Sequence, residues 1–206
     1  MSSDSTIAES VTERFGSTSY LVRTKLLRLF GGAFHIYDAN GKLVLYSEQK
    51  RFKLKEDIRL YSDESKQEEL LKISTQSIFD IAGAYDVQDS TTGERLGTLK
   101  RAGLSSTFVR DQWEIMDSDG NAVGSIQEDS MLKALVRRFI ENASFFLPQK
   151  YHATIGGELV ANYRQKFNPI ILKLVVDFSP DQESRFDRRL GLAAAVLLNV
   201  VEGRQD

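Results

Sequence analysis

The sequence predicts a mostly-β fold: a closed antiparallel barrel of about twelve strands enclosing a central apolar C-terminal helix. Three observations predict it. Turn signals built on Asx and Gly recur between β-type runs, several runs alternate with period two, and the last long segment is apolar on every side.

The hairpins come in order. Phe34-His35-Ile36-Tyr37 meets Asp38-Ala39-Asn40-Gly41 and returns through Leu43 to Tyr46. Tyr85-Asp86-Val87 turns at Thr92-Gly93 and returns through Arg95 to Leu99. Trp113 to Met116 turns at Asp117-Ser118-Asp119-Gly120-Asn121 and returns through Val123 to Ile126. A fourth hairpin turns at Gly156-Gly157 and returns from Leu159 to Phe167. Asn-Gly, Asp-Gly and Gly-Gly supply the positive φ that tight hairpins need. Tyr85 and Val87 share one face and Asp86 the other, extending a pattern that begins at Phe79. Ile170, Leu172, Leu174, Val176 and Phe178 alternate likewise, the signature of half-buried strands.

Two segments break the β pattern. Residues 130–141 place Met131, Leu132, Leu135, Val136, Phe139 and Ile140 at helical spacing, with Lys133, Arg137 and Arg138 between them. This reads as an amphipathic helix closing one end of the sheet. The second is a helix over about 184–203, started by the Ser179-Pro180-Asp181-Gln182 cap pattern or by Ser184 and Asp187. Its run from Leu190 to Val201 is apolar all round. Seven large aliphatics there represent on the order of 10–20 kcal/mol of gross burial, so the helix belongs in an interior. A run this short falls well below the roughly 20 residues of a membrane span.

The totals agree with one domain. The chain has 206 residues, 41% hydrophobic and 27% charged, with a net charge of −2. That balance argues against a nucleic-acid partner. There is no cysteine, which excludes disulfides, thiolate nucleophiles and S-palmitoylation. Residues 1–17 read as a flexible polar arm without a signal peptide's basic and apolar regions, and residues 18–206 as one barrel domain. A monomeric cytoplasmic protein, peripheral to a membrane at most, is the expectation.

The hairpins Tyr37-Asp38-Ala39-Asn40-Gly41-Lys42 and Met116 to Gly124 resemble those of the tubby C-terminal-like superfamily. The turn Thr92-Gly93-Glu94-Arg95-Leu96-Gly97 and the terminal segment Asp187 to Ala195 add to the likeness. Within that superfamily the chain resembles the LURP-one-related branch, and more distantly the phospholipid scramblases, over most of 18–203. The resemblance implies a closed barrel around a hydrophobic helix. Tubby-type domains bind phosphoinositides and scramblases act at membranes, but none of tubby's ligand residues is carried over to a position of this chain. The lack of cysteine removes the scramblases' palmitoylation sites.

The most basic segment runs from Lys50 to Leu60. Read as one strand, it turns Phe52, Leu54, Ile58 and Leu60 inward and Arg51, Lys53, Lys55 and Arg59 outward at roughly 6.5–7 Å intervals. Such a row grips several phosphates of one head group; Lys100 and Arg101 join it from another hairpin. The competing reading is a solvated face whose lysines discourage edge pairing. Asp117, Asp119, Asn121 and Glu128 mimic an EF-hand loop, but Ala122 replaces the required Gly and the context is β, so no metal is expected. His35 reads as a sheet-face residue, His152 lacks zinc-ligand spacing, and Trp113 reads as core. No nucleophile elbow or P-loop is present, and neither a catalytic residue nor a cofactor is expected. The leading expectation is a non-enzymatic domain engaging phosphoinositide or other anionic phospholipid head groups. The alternative is a protein-interaction module with an unknown protein partner.

Overall fold

The computed structural model describes residues 13–27, 31–49, 57–75, 83–101, 112–129, 149–166 and 171–202. Twelve strands form one closed antiparallel barrel: β1 (Ser19–Leu27), β2 (Gly31–Asp38), β3 (Leu43–Gln49), β4 (Ile58–Tyr61), β5 (Glu69–Thr75), β6 (Ala84–Asp89), β7 (Arg95–Arg101), β8 (Gln112–Met116), β9 (Ala122–Glu128), β10 (Lys150–Ile155), β11 (Glu158–Lys166) and β12 (Leu172–Asp177). Neighbours in sequence are neighbours in the sheet, and β12 returns to pair with β1. Closure removes both sheet edges. All four hairpins expected from the sequence are present, with Gly41 and Gly120 at φ +80° and +87° in their turns.

Meandering strands put successive connections at alternate ends. The turns at 39–42, 62–68, 90–94, 117–121 and 156–157, and the stretch 178–187, share one end, here called the hairpin end. Each carries or adjoins a carboxylate, Asp38, Glu64, Glu94, Asp119, Glu158 and Asp181 among them. The strands are joined at the other end, here called the far end, through residues outside the described set, including 50–56 and 130–148. The expected amphipathic helix at 130–141 and residues 1–12 of the expected arm therefore lie outside the described residues.

A 15-residue helix, α1 (Arg188–Glu202), follows β12, and every residue from Leu190 to Val200 is buried. It touches β12, β7 and β1. One apolar cluster takes in strand residues such as Phe34, Leu71 and Ile115 together with Leu192, Val196 and Leu197 of the helix. Among the described residues no helix is long and apolar enough to cross a membrane.

The helix begins at Arg188, directly after Asp187, one of the starts the sequence offered, and four residues later than the bound near 184. Ser179 and Pro180 form a turn instead, and Ser184 sits at φ +52°, a left-handed conformation that a helix cannot continue. Asp181 is buried and accepts the backbone N–H groups of Arg185 and Phe186, bracing the approach. Asp187 is the cap: its carboxylate accepts the Arg189 N–H at 2.8 Å and its carbonyl the Gly191 N–H at 2.9 Å.

Gly191 inverts an ordinary rule. Gly to Ala inside a helix normally stabilises by about 1 kcal/mol. Here a Cβ would stand 2.6 Å from Phe178 and 3.1 Å from Phe186. Phe178 is wedged between Tyr20, Phe186 and the Arg188 guanidinium, so it has nowhere to go. Gly191→Ala is expected to destabilise by about 1–3 kcal/mol. Chemical denaturation checks this, and a more stable variant would contradict the packing described.

Candidate functional site

Arg51, Lys53 and Lys55 fall in 50–56, outside the described residues. The single strand read over Lys50 to Leu60 is corrected in part: β3 ends at Gln49 and β4 starts at Ile58. Within β4 the expected facing holds, with Ile58 and Leu60 buried and Arg59 exposed. Arg59 is not a bare cation. It donates to Glu69 at 2.6 Å and lies 3.9 Å from Asp57. Lys100 faces Glu114 across β7 and β8 at 3.7 Å. Arg101 is the last residue of β7, at the far end. Register carries Arg59 sideways to Lys72, Gln88 and Arg95, so its row on β7 is that of Arg95 rather than of Lys100. Lys72 and Arg95 have carboxylate partners of their own, Asp57 and Asp86, each at 2.9 Å.

The opposite wall is different. Lys150 and Arg164 are directly opposed across β10 and β11. Lys166, Lys173 and Arg23 form one lateral row across β11, β12 and β1. All five point outward, because Tyr151, Tyr163, Leu174 and Val22 beside them are buried. Directly opposed Cα atoms sit about 4.5–5.5 Å apart, so like charges here repel at a cost of several tenths of a kcal/mol per pair. Among the described residues none of the five has a carboxylate within ion-pair distance. The next strand, β9, supplies Asp129 just beyond its end, and Asp129 lies 3.8 Å from His152 instead. A neutralised wall at β4 to β7 thus contrasts with an uncompensated one at β10 to β1. Lys150, Lys166 and Lys173 lie at or next to the far-end termini of their strands.

A groove of about 430 Å³ is cut into this wall, with Leu21, Arg23, Tyr37, Lys166 and Val175 in its lining and Asp38 at its hairpin-end limit. Arg23 holds its guanidinium 5.7 Å from the centre of the Tyr37 ring. Tyr37 in turn stacks parallel to His35, whose Nε2 is 2.8 Å from Glu64.

Hydrogen bonds of the two histidine rings run to Glu64 and Asn162, not to a serine or threonine hydroxyl. His35 is buried on the sheet face and Trp113 is core, as their alternation indicated. Asp117 accepts the N–H groups of Asp119 and Asn121 and the Asn121 side chain, so it braces a hairpin turn; its carboxyl is held below the usual range chiefly by the Asn121 hydrogen bonds. Glu128 lies at the other end of β9, away from that turn.

These features define a closed antiparallel barrel with a charge-polarised outer wall. The family model described as LURP-one-related matches residues 43–199, and the chain belongs to the LURP-one-related family. A protein from Arabidopsis thaliana with an X-ray structure is similar at 16% identity and a TM-score of 0.49, covering 90% of this chain and 93% of that one. A search of curated proteins gives no significant match.

Proposed function

We propose that this is a non-enzymatic binding domain that docks on anionic phospholipid head groups at a membrane surface, far end toward the lipid. The observation that carries it is the wall of five cations that have no carboxylate partner among the described residues. Residues Arg51, Lys53 and Lys55, on the connection leaving β3 at the same end, belong to the proposed contact, with Lys100 and Arg101 at the end of β7 and Arg59 at its margin. Carboxylate-bearing turns at the hairpin end favour the same orientation. In this reading α1 fills the barrel lumen and leaves no interior space for a substrate. Each Lys or Arg near an anionic leaflet contributes about 1 kcal/mol, so five give on the order of 5 kcal/mol, weakened by salt. The cytoplasmic leaflet carries the matching charge.

Flotation with phosphatidylserine-containing and phosphatidylcholine-only vesicles tests it. Binding is expected to the first alone and to weaken as salt rises. The triple variant Arg23→Glu, Lys166→Glu, Lys173→Glu is expected to lose it by a factor of at least about 100, since three reversed charges forfeit more than the ~3 kcal/mol they supplied. Lys66→Glu, at the hairpin end, is expected to bind normally. No binding at low salt, or a triple variant that binds normally, overturns the reading and favours a protein-interaction module.

A further inference from the structure

The basic wall is not flat, and its groove has an internal order that a diffuse attraction to a charged surface does not require. Register sets two parallel rows across β12, β1 and β2. One contains Lys173 and Arg23, extended by Lys166 on β11; the other is Val175, Leu21 and Tyr37. Two residues along a strand separate the rows, about 6.5–7 Å. A row of cations thus runs beside a strip of apolar and aromatic surface; Arg23 and Lys166 of the first and Leu21, Val175 and Tyr37 of the second line the groove. Leu21, Val175, Tyr37 and Arg23 are all half-buried, so the strip is recessed. Arg23 is held beside the Tyr37 ring, which presets its guanidinium. At the far side of the strip stands Asp38, whose Oδ1 accepts the Asn40 and Lys42 N–H groups and is fixed by its own turn. A volume of about 430 Å³ suits one small molecule.

We infer that the groove is a one-molecule site for a phosphate monoester with an apolar or aromatic body. The phosphate lies against Arg23 and Lys166, next to Lys173 in the same row, and the body lies along Leu21, Val175 and Tyr37. Two cations line this end and Lys173 is their neighbour in the row, which favours a dianion over a single-charged carboxylate. Asp38 rejects a second anion at the other end, so the occupant is charged at one end only. The inference deepens the head-group reading and shares Arg23 and Lys166 with it, but it requires a stoichiometric site where that reading requires only a charged surface.

Isothermal titration of the full chain with inorganic phosphate and with phenyl phosphate tests it. Phenyl phosphate is expected to bind one to one and at least about tenfold tighter than inorganic phosphate, which is ~1.4 kcal/mol from the body alone. Tyr37→Ala is expected to abolish that preference. Lys166→Glu, an exposed substitution that does not threaten folding, is expected to weaken both probes. Equal affinity for the two probes, non-saturating binding, or an unchanged preference in folded Tyr37→Ala overturns the proposal. Dihexanoyl phosphatidate, used below its micelle concentration, identifies the source: tighter binding than phenyl phosphate assigns the site to a lipid head group, weaker binding to a free aromatic ester, and both uphold the site. Vesicle binding without one-to-one phenyl phosphate binding overturns the groove alone. One-to-one binding without vesicle binding overturns the membrane reading alone.

Discussion

Asp89→Ala is expected to cost about 3 kcal/mol, near the lower end for removing one partner of a buried ion pair. Asp89 is 3% exposed at the end of β6 and serves two masters. One oxygen accepts the Thr91 N–H and hydroxyl and the Thr92 N–H, which builds the turn before β7. The other accepts Arg189 at 2.6 Å, which ties the first turn of α1 to that hairpin. The variant leaves buried donors unmet, while Arg189 keeps Asp187 and so limits the damage. Burial alone would raise the Asp89 pKa, but hydrogen bonds from Thr91, Arg189 and Thr92 outweigh it and hold the carboxyl below its usual range. A depressed folded pKa gives stability that is fully present above the unfolded value of about 3.9 and is lost as pH falls through the folded one. The difference between wild type and Asp89→Asn is therefore expected to be constant from neutral pH down to about 5 and to shrink in stronger acid. Urea titrations at several pH values measure this; a difference that grows on acidification would refute the assignment.

Gly124→Ala is expected to be about as damaging, for a steric reason. Gly124 lies between Ile115 on β8 and Ile155 on β10. An added methyl would overlap the Thr154 carbonyl oxygen, which belongs to the backbone and cannot rotate away, and would stand 2.8 Å from Ile155 Cδ1. The β10–β11 register shift at Ala153 and Thr154 falls beside this contact. The wall must open locally to admit the methyl, at a cost of about 3 kcal/mol or more. For a chain of this size that lowers the melting midpoint by roughly 6–12 °C. An unchanged melting curve would show that the two strands do not approach this closely.

The barrel was legible because its signals are local. A turn such as Asp117 to Asn121 is decided by residues within five positions, and the burial of Leu174 and Val176 follows from their alternation. The choice between the two starts offered for α1 was not legible, because Ser179-Pro180 has the composition of a cap, while the use of Asp187 depends on Asp181 bracing the chain between them. The cationic wall was not legible for a geometric reason. Arg23 and Lys166 are 143 positions apart and share a wall solely because β1 closes on β12. Outward parity of Arg164, Lys166 and Lys173 was the available signal, since Arg164 neighbours Tyr163, Lys173 neighbours Leu174, and Lys166 shares the parity of Arg164. The segment around Arg59 drew attention because its positive residues are consecutive, but sequence adjacency does not reveal Glu69, which neutralises Arg59 from the next strand.

The pairing of β1 with β12 has a consequence for how the molecule is made. A ribosome delivers Ser19 early and Asp177 only after the ten intervening strands. Until then the first strand has β2 on one side and bare amide and carbonyl groups on the other. Joining ends so distant costs chain entropy that local hairpins do not incur, which makes seam closure a late, slow event. A nascent chain stalled before β12 is therefore an open ribbon with adhesive margins, vulnerable to its neighbours in a way the finished barrel is not.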